Sequence, residues 1–275
     1  MPDTTTRLDR ELVRRGLARS REQAGSLIAQ GRVFAGGKLA KKPAFAVSAE
    51  TDVRVDADPE EPDWASRAGG KIAGALERLG VAVAGRRCLD AGAAHGGFTD
   101  VLLRLGASWV AAVDVGHDQL LPRLREDPRV AVFDGVNVRH MTPETIGGEV
   151  DLVVADLSFI SLRLVLPALA ACVREAGELV VMVKPQFEAA KHEIGRGGVV
   201  RDAKARIASV LAVAEAASAA GLAVQGAAPS PVAGRSGNLE AFLWLRRSAP
   251  KGDFEPTIRA GLADWDERAG GGGDA

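Results

Sequence analysis

From about residue 72 onward, short apolar runs alternate with segments whose apolar residues recur every three or four positions. The runs fall at 86–91, 108–114, 129–133, 150–155, 177–183, 222–228 and 239–246. Several are apolar at nearly every position, as strands buried on both faces are. Strands alternating with helical patterns predict a parallel sheet with helices on both sides. Ile207 to Ala220 reads as an alanine-rich helix packed on that sheet. Glu188 to Asp202 lacks periodicity and is expected to be a mobile loop. From Ser248 onward, through Gly270–Gly273, the chain reads as a poorly ordered tail with one short helix at most.

The first residues follow a different rhythm. Leu8, Leu12 and Val13 share one helical face, which Gly16 ends. Ser20 is placed to cap a second helix with Gln23 as its capping-box partner, and Ala24, Leu27 and Ile28 share its apolar side. Arg32-Val33-Phe34, a turn from Ala35 to Lys38, and Val53-Arg54-Val55 make a small sheet. Asp56 to Pro62 is acidic and proline-bearing, and marks a boundary. The expected division is a small α+β domain at 1–58, a linker at 59–70, an α/β domain at 71–248 and a flexible tail at 249–275.

Composition narrows the classes. With 275 residues and 47% hydrophobic content the chain can bury a full core. A formal net charge of -1 excludes global basicity, so charge must be read locally. Residues 1–56 carry roughly +4, concentrated on Arg7, Arg10, Arg14, Arg15, Arg19, Arg21, Arg32, Lys38, Lys41 and Lys42. Cys88 and Cys172 sit in apolar contexts and are expected as reduced core thiols. The four histidines form no ligand pattern, so no metal is expected. The polar N-terminus is unlike a signal peptide, and Val153 to Val173 is interrupted by Asp156, Arg163 and Pro167. A cytoplasmic monomer without a membrane partner is the expectation.

Ligands of such sheets collect at the carboxyl ends of the strands. There the stretch Cys88 to Thr99 reads as strand, glycine-rich turn and helix start, with Asp90, Gly92, Ala93, His95, Gly96, Gly97, Phe98 and Thr99 as cofactor candidates. Asp114 ends the next strand, where a carboxylate can take both hydroxyls of a ribose. The turn G-A-A-H-G-G is neither the dinucleotide pattern nor a phosphate loop, and points to S-adenosylmethionine (SAM). Asp134, Asn137 and Asp156 are further strand-end candidates. Lys184 and Glu240 lie at two other ends, and Lys71 opens the first helix. A ribose hydroxyl is a weak nucleophile, so its methylation needs a base. Lys184 is the expected base, activated by Lys71 nearby, with Asp156 and Glu240 positioning the two lysines.

Two resemblances sharpen this. Arg7-Leu8-Asp9, Gly16 to Arg21, Ala24, Ile28, Gly31-Arg32-Val33 and Lys42-Pro43 resemble the S4 RNA-binding domain. That implies a module gripping structured RNA by its phosphates, with Arg7, Arg10, Arg14, Arg19, Arg21, Arg32, Lys41, Lys42 and the more distant Arg67 as contacts. The whole chain resembles the TlyA (hemolysin A) family, whose catalytic domain is FtsJ-like and of Rossmann type. The matching motifs are Ser66-Arg67 through Lys71, Gly92 with Gly96 to Asp100, Ala112 to Gly116, Asp127 to Val130, Asp156 to Ser161, Val183 to Glu188, and Ser230-Pro231 through Ser236 to Glu240. The resemblance places a Lys-Asp-Lys-Glu tetrad on Lys71, Asp156, Lys184 and Glu240. It implies SAM-dependent 2′-O-methylation of cytidine in small-subunit rRNA, and in some members large-subunit rRNA. Ala94 and His95 depart from the family's usual turn, which bears on cofactor affinity. Two rival readings are an RNA-binding assembly factor without chemistry and a pore-forming lysin. The intact tetrad opposes the first, and the absence of a membrane pattern opposes the second.

Overall fold

The computed structural model describes residues 5–18, 21–56, 63–234, 237–248 and 252–265. Arg19, Ser20, Ser236, the stretch 57–62, the side chain of Gln23 and the glycine run at the end lie outside them. The chain forms two compact units, Met1–Asp63 and Trp64–Ala275.

In the first unit, β1 (Thr6–Arg7) leads into α1 (Leu8–Arg14) and α2 (Arg21–Ala29). Four short strands follow: β2 (Val33–Ala35), β3 (Lys38–Leu39), β4 (Ala46–Val47) and β5 (Val53–Val55). β2 pairs antiparallel with β3 and β5, and β1 pairs with β4. Leu8, Leu12, Ala24, Leu27 and Ile28 meet Val33, Val47 and Val53 in one small core. The apolar faces read from the sequence are thus the buried ones.

The second unit opens with α3 (Ala68–Leu79), which starts ahead of Lys71 within the segment expected as linker. Then come β6 (Arg87–Ala91), α4 (Gly97–Arg104), β7 (Trp109–Asp114), α5 (Pro122–Arg125) and β8 (Val130–Asp134). The second half holds β9 (Val150–Ala155), α6 (Leu166–Cys172), β10 (Val173–Val183), α7 (Pro185–Glu188), α8 (Ala203–Ala219), β11 (Leu222–Pro229), β12 (Ala241–Arg247) and α9 (Glu255–Gly261). The seven strands form one sheet in the order β11-β12-β10-β9-β6-β7-β8. Alternate residues feed opposite cores. Leu89, Ala91, Val153 and Ala155 face α6 and α8, while Cys88, Leu152 and Val154 face α3 and α4. Both cysteines are buried and unpaired, and burial pushes their thiols up, Cys88 to about 12 and Cys172 to about 11.

Three features differ from the sequence expectation. β12 runs antiparallel to both β10 and β11, because no crossover helix separates it from β11. Part of the supposed tail, residues 252–265, packs on the domain: Ile258, Leu262 and Trp265 are buried against the core that α8 and β11 line. They recur at a spacing of four and three, an apolar stripe hidden in a polar segment. The 188–202 loop is also tied down, since Asn238 accepts from the Val200 N–H at 3.0 Å and donates to the Gly198 carbonyl at 2.9 Å. Among the described residues no helix is long and apolar enough to cross a membrane, and no group of three or more His, Cys, Asp or Glu could hold a metal ion.

Candidate active site

Strand order reverses between β6 and β9, which creates a crevice at their carboxyl ends. Asp90 near the end of β6, Asp114 closing β7, Asp134 closing β8 and Asp156 just past β9 all reach this rim. The turn after β6 is shaped by packing. A Cβ on Gly92, at φ +89°, would lie 2.5 Å from the Asp156 carbonyl oxygen, and one on Gly96, at φ +90°, would strike Leu124 and Leu120. The close approach expected toward a ligand is therefore used by the protein itself.

The other candidates separate by role. Asp114 clips two loops together: its Oδ2 accepts from the Ala94 N–H at 2.9 Å and its Oδ1 from the Gly116 N–H at 2.7 Å. His95 is exposed at the tip of the turn. Asp90 is fully buried, and its Oδ2 accepts from both the N–H and the Oγ1 of Thr99, at 2.8 and 2.7 Å. Its Oδ1 has no partner among the described residues, and burial pushes this carboxyl up to about 7. Phe98 points inward onto Phe242, with ring centroids 6.2 Å apart, while Ala93, Gly97 and Thr99 are likewise buried. Arg125 pairs with Asp134 at 2.7 Å and holds its carboxyl below the usual range. Asn137 turns its oxygen to the Arg139 N–H at 3.0 Å, capping its own short helical turn.

The tetrad residues converge because of the reversed strand. β12 starts at the rim where β10 ends, and the register pairs Val183 with Ala241. Lys184 and Glu240, one step beyond that pair, therefore flank each other's strand ends. Lys71 on α3 reaches Glu240 Oε2 at 2.5 Å across 169 positions of sequence. Lys184 Nζ lies 2.5 Å from Asp156 Oδ1, obliquely, and donates to Ser158 Oγ at 2.9 Å. Gln186 Nε2 lies 3.4 Å from the other Glu240 oxygen. Lys71, Lys184 and Glu240 are 6%, 8% and 3% exposed. Ions so buried persist only when paired, and here each lysine has its own carboxylate. Each of the two lysines expected to act together thus carries an ion pair of its own.

Several participants escaped the sequence reading. Phe159, in the loop after β9, has φ +63° and is 92% exposed, with its ring 5.3 Å from that of Phe187. A phenylalanine in left-handed backbone with its ring in solvent is strained and unusual. Trp265 donates its indole N–H to the Glu240 carbonyl at 3.2 Å. The signal for both was weak: Trp265 is a single aromatic in a polar stretch, and Phe159 lies in an apolar segment where exposure is not expected.

In the first unit, two buried acids organise the basic surface. Asp9 holds Arg7 and Arg21 at 3.0 and 2.9 Å, and Glu11 holds Arg14 and Arg15 at 2.5 and 2.7 Å. These guanidinium partners hold both carboxyls down at about 2. Arg7, Arg14 and Arg21 still expose about half or more of their side chains. Arg32 donates to the Asp56 carbonyl at 3.0 Å, while Arg10, Lys41 and Lys42 are exposed. Arg67, in the second unit, is exposed beside the start of α3.

The FtsJ-like methyltransferase family model matches residues 64–247, and the S4 domain model matches residues 6–53. The 16S/23S rRNA (cytidine-2′-O)-methyltransferase TlyA of Mycobacterium tuberculosis is 57% identical over 87% of this chain and 89% of its own length. Hemolysin A of Brachyspira hyodysenteriae is 36% identical over 71% of this chain and 81% of its own. A solved structure from Streptococcus thermophilus, provisionally named a hemolysin, superposes with a TM-score of 0.78 at 34% identity, covering 97% of each chain. The chain belongs to the TlyA family, FtsJ-like methyltransferases that carry an amino-terminal S4 domain.

Proposed function

We propose that this protein transfers the methyl group of SAM to the 2′-hydroxyl of cytidine in ribosomal RNA. The observation that carries the reading is the pairing of Lys184 with Asp156 and of Lys71 with Glu240 at one end of one sheet. Two buried ion pairs at a rim cost stability unless they serve chemistry.

The rim fits the cofactor. Asp114 accepts one N–H on each carboxylate oxygen and keeps lone pairs that suit a ribose, and the carboxylates of Asp114 and Asp156 complement a cationic nucleoside. When bound there, SAM supplies an electrophilic methyl group. The protein's part is to bring the hydroxyl into line and remove its proton. Lys184, held by Ser158 and having given its ammonium proton to solvent, takes that proton, and Asp156 stabilises the ammonium so re-formed. Lys71 and Glu240 offer a donor and an acceptor to the ribose. Phe159 presents a bare ring against Phe187, whose own ring lies 5.9 Å from Lys184 Nζ, where a nucleobase can stack.

Residues 1–58 are the RNA-docking module in this reading. The exposed guanidinium groups around Asp9 and Glu11 supply phosphate contacts with little sequence discrimination. The test is transfer of labelled methyl from SAM to separated, unmodified ribosomal subunits, followed by digestion to nucleosides. Label in 2′-O-methylcytidine is the expected result. SAM binding with no label on any subunit or naked rRNA would favour an RNA-binding assembly factor instead.

A further inference from the structure

Lys184, Phe187 and Glu188, within one short segment, grip the same loop. Lys184 itself holds Asp156 and Ser158, and Phe187 lies against Phe159. Glu188 closes the series. Its Oε1 accepts from the Leu162 N–H at 2.7 Å, and its Oε2 accepts from Ser161 Oγ at 2.5 Å and Arg163 Nε at 3.3 Å. Arg163 also donates to the Glu188 carbonyl at 3.3 Å. Glu188 is 7% exposed, and none of these contacts reaches a reacting atom. A buried carboxylate taking three donors from one loop fixes that loop far better than surface contacts do.

What the clamp fixes is Phe159. That residue sits between the anchored Ser158 and the anchored Ser161, in left-handed backbone with its ring in water. Neither the backbone strain nor the exposed ring is favourable by itself, so surrounding contacts must impose them.

Resting on the methyltransferase reading above, we propose that Glu188 is a positioning residue for the target nucleoside. It acts through Phe159 by locking the 157–163 loop onto α7. Substrate RNA affinity, supplied mainly by phosphate contacts, is independent of it. The transfer step depends on it, because a ribose displaced by a fraction of an ångström is no longer in line.

The decisive experiment is a double-mutant cycle of Glu188→Gln and Phe159→Ala, read as single-turnover methyl transfer. RNA and SAM binding are measured alongside. Glu188→Gln keeps the shape of the side chain and removes the anion that its three donors share. The expected result is a loss of about tenfold or more in the transfer rate with RNA and SAM affinities unchanged. In the Phe159→Ala background the same substitution is expected to add almost nothing. Amide exchange over 157–163, which needs no activity, is expected to rise in Glu188→Gln. Ser161→Ala, which removes one donor and leaves the buried acid in place, is expected to show the same pattern in milder form if Glu188→Gln folds poorly. Equal losses in both backgrounds, or unchanged exchange, would overturn the proposal while leaving the methyltransferase reading standing. A wild-type chain that transfers nothing would overturn that reading, and this inference with it.

Discussion

The indole N–H of Trp265 reaches the main-chain carbonyl of Glu240 at 3.2 Å, and the Ser230 N–H reaches the same oxygen at 2.8 Å. The turn that ends at Trp265 thus helps hold Glu240 from behind. Trp265 is 3% exposed and packs with Ile258 and Leu262.

Trp265→Ala is expected to cost about 3–5 kcal/mol, as deletion of a buried aromatic does. Trp265→Phe removes only the N–H and should cost about 1 kcal/mol. Urea unfolding checks both. Methyl transfer should fall in Trp265→Phe by more than its stability loss explains, because Glu240 loses one of two anchors. Activity equal to wild type in a folded Trp265→Phe would show that Ser230 suffices.

The ion pairs separate stability from chemistry. Lys71→Met leaves Glu240 buried and unpaired, and should destabilise by about 3–5 kcal/mol. The double variant Lys71→Met with Glu240→Gln should regain most of that stability, as paired removal of buried ions often does. It should remain inactive. Thermal unfolding and methyl transfer on both variants decide the matter, and recovered activity in the double variant would remove this pair from the mechanism.

Asp90 makes a pH prediction. Its folded carboxyl titrates at about 7, above the ordinary carboxylate range, so the folded state holds this proton more tightly than the unfolded one. This contribution is fully present below the unfolded value and is lost as pH rises through about 7. Asp90→Asn removes the dependence while keeping an acceptor for Thr99. Its stability relative to wild type should therefore rise between pH 5 and pH 8, on the order of a few kcal/mol, by denaturant titration at both. A constant difference would place the shifted proton elsewhere.

Much of the architecture is written in the sequence, and the misses have physical causes. Strands such as Val150–Ala155 and Trp109–Asp114 announce themselves because burial on both faces forces continuous apolar runs. The rim carboxylates follow from where those runs stop. The direction of β12 depends on the absence of a crossover helix, which a strand pattern does not express. Lys71 was expected in the site, but its carboxylate partner Glu240 lies 169 positions away, a pairing that only the fold brings together. The packing need for Gly92, whose added Cβ would meet the Asp156 carbonyl, is a second reason for glycine there that the sequence does not express. Trp265 sits in a polar stretch and Phe159 in an apolar one, and only the folded chain gives either one its partner.

RNA affinity should report the first unit's charge. Arg10 is exposed and has no carboxylate of its own among the described residues. Arg10→Ala should weaken rRNA binding without changing which sequence is preferred. The slope of log affinity against log salt should drop by about 1. An unchanged slope, measured by filter binding across a salt series, would exclude a phosphate contact at that position.

The central claim is that Lys184 removes the proton of the 2′-hydroxyl. The most direct measurement is single-turnover methyl transfer by Lys184→Ala to unmodified ribosomal subunits, with SAM and RNA affinities determined on the same preparation. A loss of at least about a hundredfold in rate with both affinities retained is predicted, the size of a missing general base. A Lys184→Ala chain that still labels cytidine ribose within a few fold of wild type would contradict the account.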